Sequence, residues 1–447
     1  MQPSSGAREL SFKSLETFVL RITQQFLTIA TGVIIARALG PSGKGVLTYC
    51  GLVLGLLIAI STGQSLAISW QYGRLKIASN VVYSAMLRLF CMAVIPLSLA
   101  IVVAGVIRHD VALAAAALMF PFVYYAQTTL AFFMSDGKVR WANIQGNIAT
   151  GSFLIFVIVA AYVFHAGITA MLALWILSWA VVAAWAYSMN TKYRFSAAES
   201  KIDTPPVWET ARKQFGFMFK ATLNQFVQVL NFQIDLLIIL AFLGTSWTGI
   251  YSLAVSAGQA MWQISRPLAV SAYGRVVSSS KEESADLTAA CLRHSLFVVG
   301  IACVVLFFAG PSLIVLVYGH KFAPAGPALQ AILPGIVAYC AMPFLTQFFT
   351  LQIGRPTLST IAGSISTIVC AATTALLIPR FGIVAGAIGV SVSYVAAFIF
   401  MLMLFQRETK ISLFRALILT PSDLRHYVTF ARTLVSGAIS FFRVKFA

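Results

Sequence analysis

From Thr17 to Phe405 the chain alternates about twelve stretches of some twenty apolar residues with short polar breaks. A bilayer's hydrocarbon core is about 30 Å thick and an α-helix rises about 1.5 Å per residue, so each stretch is long enough for one crossing. Lipid offers no hydrogen-bond partner to bare backbone, so the crossings are expected to be helices that satisfy their own N–H and C=O groups. The predicted spans are residues 17–39, 46–69, 81–107, 111–134, 142–164, 168–189, 215–243, 249–273, 290–318, 325–352, 358–378 and 383–405. With 59% apolar residues and a mean hydropathy of +0.88, the chain reads as an all-α membrane protein. The first span is too long for a signal peptide and lacks a small-residue cleavage site before the second, so it is expected to stay in the mature chain.

Charge sets the expected orientation. Alternate loops place only Arg37, Lys44, Arg108, Lys321 and Arg380 on one side, and all other loop lysines and arginines, with the basic tail, on the other. The positive-inside rule makes the rich side cytoplasmic and puts both termini there. The net charge of +18 is thus spread through short loops, where it meets anionic lipid headgroups. No basic domain or nucleic-acid motif accompanies it, so nucleic acid is not an expected partner. The six cysteines lie in or beside apolar spans without CxxC spacing and the five histidines are scattered, so neither a metal site nor Ser-His-Asp catalysis is expected. Short loops leave no room for an inserted soluble domain or an acidic catalytic cluster. The chain is therefore expected to move molecules and not to be an enzyme.

One polar break is longer. Residues 191–213 carry Glu199, Lys201, Asp203, Thr204-Pro205-Pro206 and Glu209, with six spans on either side. They divide the chain into an N-terminal six-helix lobe (1–190), a cytoplasmic linker (191–213), a C-terminal six-helix lobe (214–406) and a basic amphipathic tail (407–447). An internal repeat supports the division: Leu39, Gly40, Ser42 and Gly45 match Leu243, Gly244, Ser246 and Gly249 at a constant offset of 204 residues, as Gln24 matches Gln228. Two parallel lobes related by an axis along the membrane normal follow, an arrangement in which substrate sites lie between halves near the midplane.

Three segments carry a family resemblance. Ala36-Arg37-Ala38-Leu39-Gly40-Pro41-Ser42-Gly43-Lys44-Gly45, Asp235-Leu236-Leu237-Ile238 leading to Leu243-Gly244 and Gly249-Ile250-Tyr251-Ser252, and Leu376 to Ala387 stand in the order and spacing of the polysaccharide (O-antigen type) flippases. The chain resembles that family, within the multidrug/oligosaccharidyl-lipid/polysaccharide exporter superfamily, from about Leu15 to Arg407. The resemblance implies a V-shaped alternating-access transporter of the bacterial inner membrane. It would move undecaprenyl-pyrophosphate-linked oligosaccharide from the cytoplasmic to the outer leaflet, with polysaccharide polymerase and assembly proteins as partners. No cofactor is implied beyond coupling to a proton or sodium gradient. The alternatives are a multidrug cation antiporter of the same superfold or a non-transporting subunit of a polysaccharide assembly complex.

An ionisable group within hydrocarbon is costly and faces a cavity, a partner or the interface. A pyrophosphate carries fixed negative charge that arginine can hold bidentately, so Arg21, Arg88, Arg266 and Lys220 are the candidate cargo contacts. Arg21 and Lys220 have a rival reading as side chains snorkelling to the surface. Gln24 and Gln228 extend the candidate site, the latter in a polar seventh span with Asn224, Gln225, Asn231 and Gln233 that either lines the lumen or bonds a neighbouring helix. Asp235 is the deepest carboxylate. It is open to three roles: a salt bridge with an embedded arginine, ion coupling, or a satisfied structural group. In the tail, Ser422 or Asp423 is expected to cap an interfacial amphipathic helix, with a thirteenth span as the rival.

Overall fold

The computed structural model describes residues 5–194, 205–419 and 423. Its helices are α1 (Ser5–Ile68), α2 (Ser79–Leu89), α3 (Ile95–Ile107), α4 (Val111–Ser135), α5 (Val139–Tyr162), α6 (Ile168–Arg194), α7 (Val207–Ala260), α8 (Trp262–Ser278), α9 (Lys281–Tyr318), α10 (Ala325–Gln347), α11 (Thr357–Phe381), α12 (Ile383–Thr409) and α13 (Leu413–Leu417). Among the described residues there is no strand. Ten helical stretches are long and apolar enough to cross a membrane.

Two of those stretches each contain two crossings. The backbone of α1 leaves helical geometry at Gly40 (φ 66°, ψ −169°), and that of α7 does so at Gly244 (φ 78°, ψ −176°). Positive φ strains any residue with a Cβ, so glycine is what permits a sharp reversal without a long loop. Counting two limbs in each recovers the twelve expected spans. Side chains such as Phe308 (75% exposed) and Leu376 (77%) stand on the outer surface, which suits lipid and not water.

The third predicted span, written as one helix, is α2 and α3 joined by a π-helical turn at Phe90–Val94. Pro96, which has no N–H to donate, follows directly on this turn, where the helix is already irregular. The eighth span also departs from the continuous helix expected over 249–273: it breaks at Met261, between α7 and α8, where tightened bonds run from Met261 N–H to Gly258 O and from Ile264 N–H to Met261 O, each 3.1 Å. Of the tail, α13 and Asp423 are described. The expected amphipathic helix otherwise lies outside the described residues, as do residues 195–204 of the linker, whose ends belong to α6 and α7.

The described chain forms two compact units, residues 1–253 with 312–325, and residues 254–311 with 326–447. In the first, α4 is central. Its Met119, Phe120, Val123 and Tyr124 are fully buried against Leu47, Cys50 and Leu54 of α1, Val157 of α5, and Met171 and Leu172 of α6. Asp110 starts α4 by accepting from Leu113 N–H (3.0 Å) through one oxygen and from the Tyr49 hydroxyl (2.7 Å) through the other. In the second unit the core joins Leu292 of α9, Leu345 of α10, Phe348 and Phe349 of the following π-turn, and Met401 and Phe405 of α12. Lys281 pairs with Glu408 (2.7 Å), while the buried Arg293 donates to Asp423 (3.1 Å) and to the Arg415 carbonyl (2.6 Å), holding α13 and Asp423 to this core.

Within the first unit the two copies of the sequence repeat touch each other. A Cβ on Gly45 would collide with the Thr245 carbonyl, and one on Gly249 would collide with the Pro41 carbonyl oxygen and lie 2.6 Å from Gly45 N. One turn on, the Thr48 hydroxyl bonds to that of Ser252 (3.2 Å), again residues 204 apart. Equivalent positions thus meet across a local two-fold. The contact continues along the second limb of α1: Gly55 packs on the Gln233 amide, Gly63 on Thr222 and Met218, and Gln71 bonds to Gln214, so this limb and the first limb of α7 lie antiparallel. Glycines let the two backbones approach where no hydrophobic effect drives helices together. Gly249→Ala should destabilise by about 1–3 kcal/mol through overpacking, whereas Gly300→Ala, with open space around it, should be neutral or better. Thermal unfolding of the detergent-purified variants measures the difference.

Candidate functional site

The first limb of α7 gathers most of the candidate polar groups of the first unit. Ala211, Gln214 and Met218 form its buried side, facing α1. Gln71, on the π-helical turn that ends α1's second limb, donates to the Thr210 carbonyl (3.1 Å) and accepts from the Gln214 amide (3.0 Å), while Trp70 stacks on Phe217 at 5.3 Å. Lys220 and Asn224 lie one turn apart on an exposed side, and Gln228 follows half-buried. Gln233 faces Gly55, so this one member of the polar series is spent on helix packing.

Asp235 is 2% exposed and accepts a 2.6 Å hydrogen bond from the Tyr251 hydroxyl. The bond ties the two limbs of α7 together across the Gly244 reversal. Among the described residues no ion pair includes Asp235. The repeat positions equivalent to this pair are Thr31 and Leu47, which cannot form it, so the brace belongs to one half alone.

The other candidates of this unit are dispersed. Gln24 packs against Gly146 of α5, whose added Cβ would lie 2.8 Å from the Gln24 Oε1, and the neighbouring Asn147 amide donates to the Leu20 carbonyl (3.0 Å). Arg21 flanks that contact and is exposed. Arg88 is also exposed, on a stripe continued at helical spacing by Met92, Ile95, Leu99, Val103 and Val106, all more than a third exposed. That stripe has the character of a lipid-facing surface, along which a long basic side chain reaches the interface. Arg37 stands at the end of α1's first limb and donates to the last-turn carbonyls of α9, Nε to Val317 O (2.7 Å) and Nη2 to Leu316 O (2.8 Å). A cation there also complements the helix dipole.

Arg266 belongs to the second unit. It is exposed on α8, just beyond the break at Met261 and before Pro267, and lies within electrostatic reach of Tyr339 and Cys340 of α10. Trp262, one turn earlier, packs on Tyr339 (ring centroids 4.7 Å), which packs in turn on Tyr394 of α12 (4.6 Å). Sequence reasoning picked out Arg266 by its charge but missed the rings. They come from three helices, and aromatic residues are common throughout the chain. Of the candidates, Arg21, Arg88, Lys220, Gln24, Gln228 and Asp235 lie in the first unit and Arg266 lies in the second.

No protein-family model matches the sequence, and no curated protein matches it. Solved structures do. The chain is similar to the lipid II flippase MurJ in an inward closed conformation, with a TM-score of 0.71 at 13% identity over 88% of this chain and 87% of that one. It is also similar to an inward-facing multidrug-resistance MATE transporter of the MOP superfamily, with a TM-score of 0.65 at 13% identity over 87% and 96% of the two chains. A third similar structure is a mutant of the Vibrio cholerae MATE transporter VcmN, with a TM-score of 0.55 at 14% identity over 90% and 99%. At such identities the likeness is one of fold, and this chain has the fold shared by MurJ and the MATE transporters.

The Asp235–Tyr251 brace predicts an asymmetric response. Tyr251→Phe leaves a buried carboxylate without its donor and should cost about 1.5–3 kcal/mol, while Thr31→Val, at the position equivalent to Asp235, should cost less. Thermal unfolding of the purified variants reads both.

Proposed function

We propose that this protein is a flippase that carries undecaprenyl-pyrophosphate-linked oligosaccharide from the cytoplasmic to the outer leaflet for cell-surface polysaccharide synthesis. The supporting observation is the sign of the embedded charge. Arg21, Lys220 and Arg266 lie within membrane-spanning helices and present exposed cationic groups, whereas the deepest carboxylate, Asp235, is buried and bonded to a tyrosine. A cation antiporter calls for the reverse, acids open to the substrate. The likeness to MurJ, a lipid II flippase, supports a lipid-linked cargo by analogy of fold.

In this reading the two six-helix lobes, residues 1–190 and 214–406, alternate access about the linker at 191–213, and the tail from 407 rests on the cytoplasmic leaflet. The candidate contacts for the pyrophosphate are Arg266, Arg21 and Lys220, and those for sugar hydroxyls are Gln24 and Gln228. Arg88 is a weaker contact than its charge alone suggests, given its exposed apolar stripe. The protein sits in the bacterial inner membrane with both termini inside, its basic loops on anionic lipid, and it hands cargo to polysaccharide polymerase and assembly proteins. A proton or sodium gradient is the candidate energy source, with Asp235 the carboxylate placed to couple it. The MATE fold supports a second reading, a multidrug cation antiporter.

Translocation in reconstituted vesicles tests this. Wild type should move a fluorescent undecaprenyl-pyrophosphate oligosaccharide, and Arg266→Gln and Arg21→Gln should each slow transport about 10- to 100-fold at equal folded amounts. Gradient-driven efflux of a cationic dye without any lipid-linked transport would establish the antiporter instead.

A further inference from the structure

The break at Met261 places Trp262 at the start of α8, and helical spacing puts Trp262 and Arg266 on the same side, one turn apart. Trp262 packs on Tyr339 and Tyr339 on Tyr394, a run of tilted rings from α8 through α10 to α12 with centroids 4.7 Å and 4.6 Å apart and planes inclined by 37° and 34°. Burial grades along the series: Tyr394 is buried, Tyr339 and Trp262 are half-buried, and Arg266 is exposed. The Ser265 hydroxyl holds the Trp262 carbonyl at 3.3 Å, fixing the turn that carries the ring. An exposed guanidinium therefore stands beside an indole braced from behind by two further aromatic rings.

We propose that Trp262, backed by Tyr339 and Tyr394, is a sugar-binding platform that receives the first pyranose of a pyrophosphate-linked glycan whose phosphates sit on Arg266. The proposal rests on the flippase reading and adds to it the residue that distinguishes glycosylated cargo from bare lipid. Its chemical basis is a match of spacing and surface. The first sugar is bonded directly to the distal phosphate, so it lies within about one helical turn of a phosphate held by Arg266. A pyranose has one face of C–H groups that packs on an aromatic ring, while its hydroxyl edges stay available for hydrogen bonds; exposed Gln263 lies beside Trp262 on the same turn. Rings packed on one another lose little freedom when a ligand docks, which favours a planar contact over the flexible isoprenoid tail.

The test is equilibrium binding to the full chain in nanodiscs with two probes, undecaprenyl pyrophosphate and undecaprenyl-pyrophosphoryl-N-acetylglucosamine. Wild type should prefer the glycosylated probe by about tenfold. Trp262→Leu should reduce that ratio to about one while leaving affinity for the bare lipid unchanged, and Arg266→Gln should weaken both probes alike and keep the ratio. Trp262→Phe retains a smaller ring and serves if the leucine variant does not fold; its ratio should fall to about threefold. The proposal is overturned if Trp262 variants keep the full preference, if they weaken both probes equally, or if wild type binds the two probes equally well. Wild type that binds neither probe overturns the flippase reading as well.

Discussion

Every structural feature here follows from the absence of water in the bilayer core. Backbone groups there must pair within the chain, which makes each crossing a helix and leaves few ways to turn or end one. The protein reverses direction inside α1 and α7 with single glycines at positive φ, Gly40 and Gly244, and relaxes its helices elsewhere by π-turns and a break at Met261. Several of these irregularities sit near polar or aromatic side chains. Arg88 closely precedes a π-turn, Gln71 lies within one, and Trp262 opens α8 after a break.

The two copies of Leu-Gly-x-Ser-x-x-Gly explain how one unit can be both symmetric and directional. They interlock at Gly45 and Gly249, where equivalent residues meet and neither position tolerates a side chain. The run of contacts through Gly55, Gly63 and Gln71 fastens α1 to α7, and Asp235 braces α7 against its own second limb through Tyr251. A repeated frame thus carries polar groups that are not repeated, which allows one half to hold a role the other lacks.

In the proposed flippase reading, charge and aromatic surface divide the work of recognising a lipid-linked anion. Embedded arginine there provides affinity for phosphate, at a desolvation cost that only an anionic partner or an aqueous path offsets. Rings provide shape. Arg88 and Arg37 illustrate the other uses of a cation in this setting, one on an exposed apolar stripe and one capping the last turn of α9. Cations of the same type thus fill different roles according to the faces on which they stand.

Hydropathy alone was enough to read the helical class and the approximate spans, because the length of an apolar run is a local property matched to a fixed bilayer thickness. The repeat was legible for the same reason: Gly40 and Gly244 are required locally, by the backbone at each reversal. What the sequence left open was which face of each helix meets protein and which meets lipid. Both environments are apolar, so the periodicity that marks the buried side of a water-soluble helix is missing here. Only the tertiary structure therefore decided that Gln233 serves packing and that Asp235 meets Tyr251. It alone paired Arg37 with carbonyls some 280 residues away, and stacked Trp262, Tyr339 and Tyr394 from three helices beside Arg266.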